Sequence, residues 1–232
     1  MRSFVYDTQS LRSDGPTTFF TDDHETEVPS AGDWTEEELL GWLLTTWQFR
    51  IMLFEELGMS EQTSDRLSVT KPFLDNPNKK PGDIDLLLAD PSHPEAAVVL
   101  ETKRVKIRPG SNGPQTITKL ASFEKGIRQA NALLDCGFSR TYLTMIAVVD
   151  GRQARGANFL FRGLQSEAAH TVLETPNWGE LREGVGILYV EVVQPVERSV
   201  REAGMISLAH LHAAQPREQS GELTDRVHRF FE

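Results

Sequence analysis

An α/β fold, a three-layer α/β/α sandwich on a mixed central sheet of at least four strands, is what this 232-residue chain predicts. Three observations carry that expectation. Leu39, Leu40, Leu43, Leu44, Trp47, Ile51, Phe54 and Leu57 recur at helical spacing over 35–57. Two apolar strands, over 83–89 and 97–105, flank a Pro-bearing loop. Beyond them a helical pattern alternates with strands such as TYLTMIAVVD, apolar on both faces as in the middle of a covered sheet.

Residues 1–33 are rich in Ser, Thr, Asp, Gly and Pro without sustained periodicity, which predicts a disordered acidic tail. The helix over 35–57 is capped by Asp33 or Thr35, places Glu36, Glu37 and Glu38 at the positive end of its dipole, and stops at Gly58. A first strand follows at 67–74, with Pro72 marking an edge or a bend, and DNPNKKPG at 75–82 is a turn. After the loop at 90–96 and a second loop at 108–114, a helix spans 117–134 and a strand 141–150. An Arg-bearing loop at 151–156, a helix at 159–173, a buried strand at 184–193 and a short helix over 197–212 complete a domain of residues 34–212. A polar tail, 213–232, carries a short amphipathic helix ending in Phe230 and Phe231.

No apolar run approaches the roughly 18 residues that cross a bilayer, and MRSFVYDTQSLRSDG lacks the apolar core of a signal peptide. Cys136 is the only cysteine, which excludes an intrachain disulfide and reads as a small hydrophobe near a helix end. A cytoplasmic protein with no membrane partner is the expectation. The net charge of −10 seems to disfavour a nucleic-acid partner, but it is uneven. Residues 1–38 hold ten acids against Arg2 and Arg12, and the remaining 24 acids face 22 bases. Lys71, Lys79, Lys80, Lys103, Arg104, Lys106 and Arg108 gather around the 83–105 hairpin. The same lysines would equally guard a solvated strand edge.

The hairpin carries the chemistry. A register symmetric about His93 sets Asp85 opposite Glu101 and Asp83 opposite Lys103, all four on one sheet face. Opposed carboxylates about 5 Å apart at Cβ repel, and a divalent cation relieves that repulsion. Mg²⁺ takes one or two carboxylates plus waters and phosphate oxygens. Asp85 and Glu101 are therefore the candidate metal ligands, with the Thr102 carbonyl as a further one and Asp83 as a secondary one. A cation there polarises a phosphodiester and acidifies a bound water. Lys103 is placed to orient that water, to stabilise the phosphorane, or to act as a base if its pKa is depressed. Arg104, Lys106, Arg108, Lys79 and Lys80 are candidates for flanking phosphates, as are Arg152 and Arg155 in the later loop. The acid-x-Lys pattern alone is expected about once by chance in this composition. Its place at the end of an apolar strand, opposite an acid pair at the start of another, is what adds information. The competing explanation is ordinary surface salt bridges.

PGDIDLLL followed by VVLETK resembles the core motif of the PD-(D/E)xK nuclease superfamily, the restriction-endonuclease-like fold. The resemblance covers roughly residues 35–150. It implies a mixed four-stranded core, one or two Mg²⁺ ions (Mn²⁺ substituting), and phosphodiester cleavage with Asp85, Glu101 and Lys103 in the motif positions. Asp83 stays an alternative for the aspartate. Gln129 resembles a glutamine that some branches carry near the site, although the tyrosine that often follows it is absent. A helix-one glutamate sometimes completes the metal site, and Glu37, Glu55 and Glu56 are the candidates. His210 and His212, the four tryptophans and the Gly110–Gly113 loop give no comparable signal. A Mg²⁺-dependent deoxyribonuclease is the leading expectation, with DNA as partner and a homodimer or partner subunit in view. A catalytically silent module of the same fold, binding nucleic acid or protein, is the main alternative, and an RNA-directed nuclease the third.

Overall fold

The computed structural model describes residues 2–7, 35–74, 82–107, 121–149, 173–174, 176–193 and 203–232. The elements are β1 (Arg2–Asp7), α1 (Glu36–Thr45), α2 (Trp47–Glu56), β2 (Ser64–Val69), β3 (Ile84–Asp90), β4 (His93–Ile107), α3 (Ala121–Asp135), β5 (Arg140–Val149), β6 (Val185–Val193), β7 (Ala203–His212) and α4 (Gly221–Phe231). Short 3₁₀ turns occupy Lys71–Leu74 and Trp178–Glu180. The strands make one seven-stranded mixed sheet in the order β1-β7-β6-β5-β4-β3-β2. β4, β5 and β6 pair in parallel at its centre, and the remaining neighbours are antiparallel.

Helices cover both faces, so the architecture is the expected three-layer α/β sandwich. Period-two alternation sorts each central strand between two cores. Leu86, Leu88, Val98, Leu100, Ile146 and Val190 pack under Leu39 and Leu43 of α1 and Phe49 and Leu53 of α2. On the other face, Val105, Leu143, Met145 and Tyr189 meet Phe123, Ile127 and Ala130 of α3. Leu87 and Val99 share that side with Leu223, Val227 and Phe231 of α4. The C-terminal amphipathic helix is therefore part of the domain's core packing.

Several elements depart from expectation for identifiable reasons. The helix over 35–57 is two helices, because Thr45 and Thr46 turn their hydroxyls back onto the Trp42 carbonyl, at 2.8 Å and 3.1 Å. Thr46 then adopts an extended conformation. Of the two candidate caps, Thr35 closes a reciprocal capping box with Glu38. The first core strand runs earlier than 67–74 and stops at Val69, with Pro72 in the turn that follows. The 90–96 loop shrinks to Pro91-Ser92, where the Asp90 carboxylate accepts from the Ser92 amide at 2.9 Å.

Residues 203–212 are a strand rather than part of a helix: Ile206 and Leu208 face one core and Ala209 the other. Arg2–Asp7, expected within the disordered tail, is the edge strand beside β7, and its Phe4-Val5-Tyr6 run has strong strand preference. The rest of that tail, the 108–114 and 151–156 loops and the 159–173 helix lie outside the described residues, except for Leu173. Cys136 is half-buried just past the C-terminus of α3, as expected of a small hydrophobe there. Among the described residues, no helix is long and apolar enough to cross a membrane.

Gly186 is a point of close approach between β5 and the segment after β7. A Cβ there would stand 2.3 Å from Tyr142 Cε1 and 2.6 Å from the Ala214 amide nitrogen. Gly186→Ala is expected to cost at least about 1–3 kcal/mol through overpacking. Chemical denaturation checks this, and an unchanged midpoint would contradict it.

Candidate metal and phosphodiester site

β3 parts from β4 where the charged residues sit. The expected register holds at this end of the hairpin, with Leu88 paired to Val98, Leu87 to Val99 and Leu86 to Leu100. From Glu101 to Ile107, β4 continues beside β5. At the parting, the Thr102 amide donates to Asp85 Oδ2 at 2.6 Å. The side chain of Asp85 thus takes over where the ladder ends, which holds its carboxylate beside Glu101.

Glu101 is fully buried, and among the described residues neither of its oxygens has an aligned hydrogen-bond donor. Lys103 compensates its charge as an ion pair. The Lys103 ammonium stands 2.6 Å from Glu101 Oε1, 2.7 Å from the Thr102 carbonyl, 3.4 Å from Glu36 Oε2 and 4.0 Å from Asp85 Oδ2. Its stem crosses α3 at Gly126, where a Cβ would come within 2.6 Å of Lys103 Cγ and 3.2 Å of its Cε. Gly126 is therefore the residue that lets the lysine reach the carboxylates.

These groups set one another's protonation. Burial, reinforced by Asp85, pushes Glu101 up to about 7 against the pull of Lys103. Burial also raises Asp85, opposed by Lys103 and the Thr102 amide. Desolvation lowers Lys103, but Glu101 and Asp85 outweigh it and leave the ammonium above its usual range. Lys103 is thus a held positive charge beside these carboxylates.

Glu36 was absent from the helix-one candidates, yet it is the acid that α1 delivers to the site. Its Oε1 accepts from the Arg104 amide at 3.3 Å, which aims Oε2 at Lys103. Glu37 is exposed, while Glu55 and Glu56 lie at the far end of α2 with Arg2. The only cue in the sequence was the Glu run after Thr35, which does not say which acid turns inward.

Asp83 is exposed at the mouth of β3. Gln129 reaches the same mouth: its Nε2 is 3.7 Å from where a Gly82 Cβ would stand, and its Oε1 is buried without a partner among the described residues. Arg104 is buried, 4% exposed, so its side chain does not face solvent as a phosphate contact would. Lys79, Lys80, Arg108, Arg152, Arg155 and the Lys106 side chain lie outside the described residues. His210, on β7, stands 3.8 Å from Glu56 at the other side of the sheet.

Among the described residues, no group of three or more His, Cys, Asp and Glu side chains is arranged to hold a metal. Two carboxylates, one buried with no aligned donor, beside a backbone carbonyl nevertheless suit Mg²⁺, which keeps waters and substrate oxygens in its remaining positions.

No protein-family model matches the chain, and no curated protein matches it. Among solved structures it is similar to SfsA of Pyrococcus furiosus, whose structure is in complex with Ca²⁺, at 15% identity and a TM-score of 0.30. That match covers 78% of this chain, and the chain spans 63% of the SfsA chain.

A second buried carboxylate lies on the same sheet face. Glu191 of β6 is fully buried, accepts from the Tyr189 hydroxyl at 2.9 Å, and is pushed up to about 7 by burial. Its folded pKa exceeds its unfolded one, so the folded protein binds the extra proton between about pH 4.5 and about pH 7. Its contribution is present at low pH and is lost as pH rises through that window. Glu191→Gln is therefore expected to match the wild type near pH 4 and to exceed it at pH 8 by on the order of 3 kcal/mol. Urea denaturation at the two pH values measures this, and a pH-independent difference would contradict it.

Proposed function

We propose that this protein is a divalent-cation-dependent phosphodiesterase acting on DNA, in the manner of the PD-(D/E)xK nucleases. The observation that carries the proposal is Glu101, a buried carboxylate without an aligned donor, placed beside Asp85 and faced by Lys103. A cation bound there supplies Lewis-acid polarisation of a phosphoryl oxygen and a more acidic water. Asp85 and Glu101 hold that cation. The Thr102 amide fixes the Asp85 carboxylate, so its orientation is set before substrate arrives. Lys103 is charged and stabilises negative charge gathering on the phosphorus oxygens. Gln129, at the mouth, is available to the nucleic-acid backbone. One such centre cuts one strand, so double-strand cleavage calls for a homodimer or a partner subunit.

A second reading has its own observation. The Lys103 ammonium already neutralises the carboxylates, as it would in a catalytically silent module that keeps the pair for structure.

Supercoiled, linear, single-stranded and branched DNA, together with RNA, incubated with Mg²⁺ or Mn²⁺ separate the two. Cleavage is expected to vanish with EDTA and to return on adding Mg²⁺ or Mn²⁺. Asp85→Asn, Glu101→Gln and Lys103→Ala are each expected to lose at least roughly a hundredfold in rate, with circular dichroism confirming their fold. Activity surviving in all three variants would move the site elsewhere. Inactivity of the wild type on every substrate would favour the silent module.

A further inference from the structure

The Lys103 ammonium sits among the same oxygens that a divalent cation would need. It contacts Glu101 Oε1 at 2.6 Å and the Thr102 carbonyl at 2.7 Å, with Asp85 Oδ2 at 4.0 Å. Two cations cannot share those oxygens, because like charges at such separations repel strongly in a buried site. The stem has little freedom to withdraw: its Cγ and Cε lie against Gly126 with no room for a methyl group between them. Beside the ammonium lies Glu36 Oε2, 3.4 Å away, and Glu36 Oε1 accepts from the Arg104 amide.

We infer that Lys103 is a built-in competitor for the divalent cation, and that Glu36 is the acid onto which its ammonium turns when the cation binds. Lys103 thereby keeps Glu101 from standing as a buried uncompensated charge, and its displacement sets how tightly the cation binds. Glu36 acts through the lysine and is a positioning residue, not a metal ligand. The inference rests on the metal-binding role proposed for Asp85 and Glu101.

The test is Mn²⁺ binding to the full chain, by calorimetry and by loss of the free-ion electron spin resonance signal, without any substrate. Lys103→Met removes the competing charge and is expected to lower the Mn²⁺ Kd by roughly tenfold. Lys103→Gln, which keeps a polar end for the Thr102 carbonyl, is the second variant should the methionine fail to fold, and the same direction is expected. Glu36→Gln is expected to raise the Kd several-fold with Lys103 present and to leave it unchanged in the Lys103→Met background.

Unchanged or weaker binding in both Lys103 variants, with the wild type binding Mn²⁺, would overturn the competition while leaving the metal site intact. Equal weakening by Glu36→Gln in both backgrounds would make Glu36 a ligand and overturn its role as the lysine's resting place. Binding by neither the wild type nor any variant would remove the metal site itself, and the inference with it.

Discussion

Glu101 is a carboxylate with no exposure and, among the described residues, no aligned hydrogen-bond donor, and such a group needs a proton or a cation to compensate it. Removing a charge from water without compensation costs several kcal/mol even after relaxation, on the order of the whole stability of a small domain. The centre of this sheet is arranged around that demand. Lys103 enters from two residues along the same strand and the same face. Gly126 gives up a side chain so that the lysine stem passes, and α1 begins where Glu36 joins the cluster. A buried ion pair is weak evidence of stability for its own sake, since desolvation offsets much of its attraction.

Topology decides why the pair stands where it does. β3 and β4 are a hairpin, but β4 outruns its partner and goes on as the first of the parallel strands. Past the Leu86–Leu100 pair, the Thr102 amide donates to the Asp85 carboxylate in place of a backbone carbonyl of β3. The apolar layers on either side then hold the opening rigid: α1 and α2 on one face, α3 and α4 on the other. A site built on strands and supported by packed helices keeps its geometry better than one carried on loops.

Much of this was legible in the sequence because hairpin register and strand alternation are local rules. Asp85, Glu101 and Lys103 fall on one face by counting in twos, and the symmetric register placed them correctly even though the turn is tighter than expected. What escaped depends on distant contacts. Glu36 is one of three consecutive glutamates, and only the angle at which α1 meets β4 distinguishes it from Glu37. The Ala-, Leu- and His-rich run of β7 has no strong strand signature, and pairing with β6 overrides its composition. β1 is only six residues long and exists as a strand because β7 offers an edge. The break between α1 and α2 was signalled by Thr45-Thr46, but two threonines are tolerated in many helices, so the signal was weak.

Crystals of the wild-type chain grown with Mn²⁺, measured near the manganese absorption edge, test the central claim most directly. An anomalous peak between the Asp85 and Glu101 carboxylates, at ligand distances of about 2.0–2.3 Å, is the predicted result. Manganese found only at surface carboxylates, with Glu101 still paired to Lys103, would contradict it.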